Sequence, residues 1–167
     1  MKILLLSDTH LSLHEIHKRW KIPTVDLLIH AGDLLAYGSL AELKREAVWF
    51  NCFLAKKIIY VPGNHDRIFE EEPRRAIEVL RETVPHLQVL INQSTLVDNI
   101  RVYGSPEQPE FCGWAFNRRR GEELRMVWSR IPEGPNRPDI LVTHAPPFGY
   151  GDNTPRLERV GDEDLLS

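Results

Sequence analysis

The chain has 167 residues, 42% hydrophobic and 27% charged, the composition of an ordinary domain long enough to bury a core without disulfides or a structural metal. A formal net charge of −3 argues against a surface built for extended nucleic acid or an anionic membrane. Cys52 and Cys112 form no Cys-x-x-Cys pattern and no apolar stretch is long enough to cross a bilayer, so the expectation is a cytoplasmic protein with reduced thiols.

The first apolar run, Ile3–Leu6, is too short for a secretion signal and reads as a buried strand. Runs at 25–30, 58–61, 89–91 and 140–142 read the same way, being short, aliphatic and bounded by polar or turn residues. Ser39 and Glu42 form a capping-box pattern that starts a helix, with Leu43, Ala47, Phe50 and Leu54 at helical spacing and Cys52 as a small buried hydrophobe. A second helix opens at Pro73 and places Ile77, Leu80 and Val84 on one face. Residues 95–97 and 100–103 flank Asp98-Asn99, a pair suited to a tight turn, and predict a hairpin added antiparallel to the sheet. Residues 104–121, rich in Pro, Gly and aromatic side chains, read as a functional loop carrying Phe111, Trp114 and Phe116. A third helix covers 122–130, burying Leu124, Val127 and Trp128 and stopping before Pro132.

Potential ligands cluster at the ends of these runs: Asp8-Thr9-His10, Gly32-Asp33, Gly63-Asn64-His65-Asp66 and Thr143-His144. If the runs are strands of one sheet, all of these blocks emerge at the same edge and gather hard oxygen and nitrogen donors around one point, as a pair of divalent ions requires. Asp8 and His10 alternate, so in an extended chain both side chains reach one ion. The Asp33 carboxylate has two oxygens with which to bridge two ions, and Asn64 offers a neutral amide oxygen. Asp66 beside His65 is the pair expected where a carboxylate orients an imidazole that protonates a leaving alkoxide. No serine or cysteine stands in a triad context, so the chemistry points to hydrolysis without a covalent nucleophile. Trp114 and Phe116 are candidates to stack on a nucleobase, Arg67 and Arg118 to Arg120 are surface charges, and His30 is a structural residue within its strand.

The order and content of these blocks resemble the calcineurin-like metallophosphoesterase superfamily. The segments Asp26-Leu27-Leu28-Ile29-His30-Ala31-Gly32-Asp33, Gly113-Trp114-Ala115-Phe116-Asn117, Ile131-Pro132-Glu133-Gly134 and Thr143-His144-Ala145-Pro146-Pro147 resemble its metallophosphoesterase-domain-containing branch. Arg159-Val160-Gly161 and Glu163-Asp164-Leu165-Leu166 continue that resemblance over nearly the whole chain. It implies an α/β fold, an αββα sandwich of two mixed sheets flanked by helices, with the metals at the strand ends. It also implies that Asp8, His10 and Asp33 hold a first metal, and that Asp33, Asn64 and His144 hold a second. His65, supported by Asp66, is then the proton donor, and Asn117 lies at the site rim with Trp114 and Phe116. The implied activity is hydrolysis of phosphodiesters, cyclic nucleotides included, by a metal-bridged water. The implied metals are manganese or iron, with zinc, magnesium or nickel as alternatives. The expected partners are small phosphoester or nucleotide substrates, with a homo-oligomer as an option. The resemblance implies one more block, Gly-His-x-His, which the sequence lacks, so residues 1–167 read as one domain stopped before its last metal-ligand strand. A metal- or nucleotide-binding module with little hydrolysis is the alternative expectation.

Overall fold

In the computed structural model, which describes residues 1–166, the first half of the chain alternates strand and helix. The order is β1 (Ile3–Leu6), α1 (Leu13–Arg19), β2 (Val25–His30), α2 (Leu40–Ala47), β3 (Ala55–Tyr60), α3 (Ile68–Glu71), α4 (Pro73–Thr83) and β4 (Leu87–Val89). Helical crossovers let these strands pair parallel, in the order β1-β2-β3-β4, with Ile29 opposite both Leu5 and Ile59. Next, β5 (Gln93–Val97) and β6 (Ile100–Ser105) form a hairpin about Asp98 and Asn99, whose φ angles of 47° and 66° are those of the expected turn. The two-residue strands β7 (Gln108–Pro109) and β8 (Asn117–Arg118) bracket the aromatic loop and are followed by α5 (Glu122–Trp128). Finally β9 (Ile140–Thr143) pairs parallel with β6, giving a second sheet ordered β5-β6-β9.

Period-two alternation assigns the two faces of the first sheet. Leu28, Ile58 and Tyr60 pack with Leu43, Phe50, Phe69 and Leu80 from the helical layer. Leu27, Ile29, Ile59 and Val61 meet Val97, Val102 and Val142 of the second sheet. The result is the expected α/β sandwich, two facing sheets with flanking helices, though only the second sheet is mixed and the first is wholly parallel; α5 closes a small cluster of its own around Trp128.

Several expectations change. The hairpin joins the second sheet, and so does β9, which carries Thr143 and His144; the ligand blocks therefore come from both sheets rather than one. β1 is an outer strand, so Leu5 is 69% exposed instead of buried. The capping box forms as predicted, with Ser39 accepting from the Glu42 N–H. Its helix ends at Ala47 and tightens into a 3-10 turn through Cys52, because the chain must reverse into β3; Leu54 is left exposed. Cys52 is half-buried in that turn and Cys112 is exposed; neither is in a disulfide. Among the described residues no helix is long and apolar enough to cross a membrane.

Candidate metal centre

The first two ligand turns are laced together by main chain. The N–H groups of Asp8, His10 and Leu11 donate to the carbonyls of Gly32, Asp33 and Leu34 at 2.9, 3.0 and 2.9 Å. Asp8, His10, Leu11 and Asp33 all have positive φ, at 53°, 39°, 64° and 55°, a left-handed conformation rare outside glycine and concentrated at functional sites. The segment is therefore not the extended one expected. Asp8 gathers with Asp33 and His144, while His10 gathers with Asp33 and His65; in each group the donor atoms lie within 4.8 Å of one another. Asp33 is common to both, as a bridging carboxylate must be.

The three imidazoles are anchored alike. Nδ1 of His10, His65 and His144 lies 3.1, 2.6 and 2.8 Å from the carbonyls of Leu35, Ala36 and Ala31. A ring nitrogen facing a carbonyl carries its proton there, which leaves Nε2 with a free lone pair. Nε2 of His144 is then 3.0 Å from Asn64 Oδ1 and 3.4 Å from Asp33 Oδ1, and Nε2 of His10 is 3.7 Å from Asp33 Oδ2. Lone pairs pointing at one another need a cation between them: a proton or a metal ion. Without a metal the proton wins: burial opposes it, but the hydrogen bond and charge of Asp33, with Ala31 and Asp8, raise the His144 pKa to about 9. The Asp33 carboxyl, which burial alone would raise, is lowered by His144 and the His65 N–H. This donor set fits a pair of divalent cations sharing Asp33.

Asp66 has a different task from the one expected. It does not orient His65, whose Nδ1 is taken by Ala36. It is fully buried and accepts from the N–H groups of Asp33, Leu35 and Gly63 at 2.8, 2.9 and 2.7 Å, tying the Asp33 turn to the Gly63 turn. Burial pushes its pKa up against the N–H donors that favour the anion. Gly32 and Gly63 are required by close approach. A Cβ on Gly63 would collide with the Asp33 carboxylate and lie 2.7 Å from the His144 ring, and one on Gly32 would meet the Gly63 backbone at 2.7 Å.

The aromatic loop also departs from expectation. Phe116 is 3% exposed and packs in the main core, so it cannot stack on a ligand. Asn117 is occupied within the loop, its Oδ1 accepting from Gln108 Nε2 and its Nδ2 donating to the Phe111 carbonyl. Trp114 stacks on His65, with ring centroids 4.0 Å apart. Arg118 pairs with Glu107, Arg119 with Glu123, and Arg120 donates to the Val160 and Gly161 carbonyls. A cleft of about 480 Å³ opens beside Asp8, Asn64 and His144, with Phe111, Arg120 and Thr154 also lining it.

Sequence reading missed the Ala31, Leu35 and Ala36 carbonyls, because any residue supplies a carbonyl. His30 has the structural role expected of it and is fully buried. Nδ1 of His30 accepts from the Gly32 N–H at 3.3 Å and Nε2 lies 2.9 Å from Thr9 Oγ1, so one neutral ring braces both ligand turns.

The profile of the calcineurin-like phosphoesterase family matches residues 1–165. Metallophosphoesterase domain-containing protein 1 of Homo sapiens is 33% identical over 186 aligned residues, covering 99% of this chain and 55% of that protein. UPF0046 protein K07C11.7 of Caenorhabditis elegans is 31% identical, covering 98% of this chain and 55% of that protein. The chain thus spans about half the length of these relatives. A solved structure reported as a novel archaeal phosphodiesterase aligns with a TM-score of 0.46 and 19% identity over 86% of this chain and 82% of that one.

Proposed function

The chain belongs to the calcineurin-like phosphoesterase family, and from that membership we propose that it hydrolyses phosphodiesters, small cyclic nucleotides among them, with two divalent metal ions at the ligand turns. The observation that carries this reading is the Asp33 carboxylate, which turns Oδ1 toward Nε2 of His144 and Oδ2 toward Nε2 of His10.

Asp8, Asp33, Asn64 and His144 would hold one ion, and His10 and Asp33 the other, manganese or iron suiting such oxygen and imidazole donors. Bound there, the ions would lower the pKa of water and offset charge on the phosphoryl oxygens. The remaining work falls to the chain. Asp33, held by the His65 N–H, fixes the spacing of the two ligand groups. His65, anchored on Ala36, presents Nε2 toward them, and when protonated it donates to the leaving oxygen. The adjoining cleft accommodates the leaving group against Phe111.

The test is manganese-supplemented hydrolysis of bis(p-nitrophenyl) phosphate together with metal analysis. Asp33→Asn should lose bound metal and turnover together, whereas His65→Ala should keep the metal and retain only a small residual turnover. Full turnover in Asp33→Asn would rule the reading out.

A further inference from the structure

His65 is held by more than its backbone anchor. The hydrogen bond from Nδ1 to the Ala36 carbonyl pins one corner of the ring, but a single bond leaves the ring plane free to pivot. The plane is set by Trp114, whose indole lies over the imidazole at a centroid distance of 4.0 Å and 29° from parallel. His10 meets His65 edge to face at 4.7 Å and 80°.

Trp114 is itself clamped. The Arg67 guanidinium sits over the indole at 5.4 Å and donates to the Gly113 carbonyl at 2.8 Å. The Ala115 N–H donates to the Asn64 carbonyl at 3.2 Å, docking the loop directly on the ligand block. One residue later the Phe116 side chain enters the core and its N–H donates to Glu70 at 3.0 Å. Loop 113–116 is thus fastened on both sides of the indole, and the stacked face is not free for substrate.

We propose that Trp114 is a positioning residue for His65, with Arg67 as its clamp. The kinetic consequence rests on the reading of His65 as the group that assists hydrolysis; the packing itself does not. A proton donor must be aimed to within a fraction of an ångström, and a misplacement of about 1 Å costs on the order of 100-fold in rate.

The first readout is independent of activity. In NMR spectra of the metal-free protein, the imidazole C–H resonances of His65 are shifted upfield by the indole and return downfield in Trp114→Ala; resonances that do not move overturn the proposal. The second is kinetic, on the manganese-loaded protein with bis(p-nitrophenyl) phosphate. Trp114→Ala lowers kcat by on the order of 10–100-fold with little change in KM. Trp114→Phe, which keeps an aromatic face, recovers most of it, and Arg67→Ala costs ~2–5-fold. In a His65→Ala background, Trp114→Ala has no further effect on kcat. A raised KM with unchanged kcat, or additive losses in the double variant, assigns Trp114 to substrate and overturns the positioning role. Should Trp114→Ala fail to fold, Trp114→Phe and Arg67→Ala carry the same kinetic test. A wild type without metal-dependent turnover removes the hydrolytic reading, while the NMR shift still decides the positioning.

Discussion

The His30 brace makes a quantitative prediction about acid stability. Burial, reinforced by His144, pushes the His30 pKa down from its ordinary 6.5 to about 3. The folded ring refuses a proton because Nδ1 already accepts from Gly32 and the Nε2 proton is committed to Thr9. Around it lie Phe50 and Tyr60, at ring distances of 5.9 and 5.6 Å, whose rings exclude water from the imidazole. The unfolded chain takes up a proton that the folded chain does not, so stability is complete above pH 6.5 and falls as pH drops toward 3. Taking these two values, the loss between pH 7 and pH 5 is about 2 kcal/mol from this one residue. The assay is equilibrium urea unfolding of the wild type and His30→Gln at both pH values, in chelator so that metal binding does not enter. His30→Gln should be weaker at pH 7 by roughly 1–2 kcal/mol, from its hydrogen bonds to Thr9 and Gly32, yet lose about 2 kcal/mol less than the wild type on going to pH 5. Contributions from carboxylates common to both proteins cancel in the difference. Parallel losses in the two proteins would refute a neutral, proton-refusing His30.

Two further substitutions probe the backbone that positions the ligands. Asp66→Asn turns an amide donor toward buried N–H groups of the Asp33 and Gly63 turns; it should cost roughly 3 kcal/mol in urea unfolding, and a change below experimental error would contradict the assigned role. Gly63→Ala drives a methyl group into the Asp33 carboxylate and the His144 ring; manganese affinity measured by calorimetry should fall ~10–100-fold, and wild-type affinity would show that the two turns have room to separate.

The candidate donors were legible in the sequence because metal chemistry restricts residue type. Carboxylates, imidazoles and amides are the side chains that suit such ions best, and a short aliphatic run before each block marks a strand end. The same logic found the Ser39 capping box and the Asp98-Asn99 turn, where local hydrogen bonds and φ preferences decide the outcome. Partnerships between distant residues were not legible. Asp66 was paired with its neighbour His65 on adjacency, yet three-dimensional contact gives His65 the Ala36 carbonyl and gives Asp66 the N–H groups of Asp33 and Leu35. Trp114 and Asn117 were read as open to substrate, yet each is occupied by groups that the folded loop brings to it.

The division follows from the range of the forces involved. Residue chemistry, strand and helix periodicity and turn preferences act over a few positions, so they fix the donor types, the alternating elements and the family without a fold. Grouping the donors depends on contacts across 24 residues between Asp8 and Gly32 and 113 between Ala31 and His144. The backbone at Asp8 and His10 is left-handed rather than extended, the two residues fall in different donor groups, and the second sheet brings His144 in from across the layer. Which candidate donors lie together, and what holds each ring in place, is therefore a property of the folded chain alone.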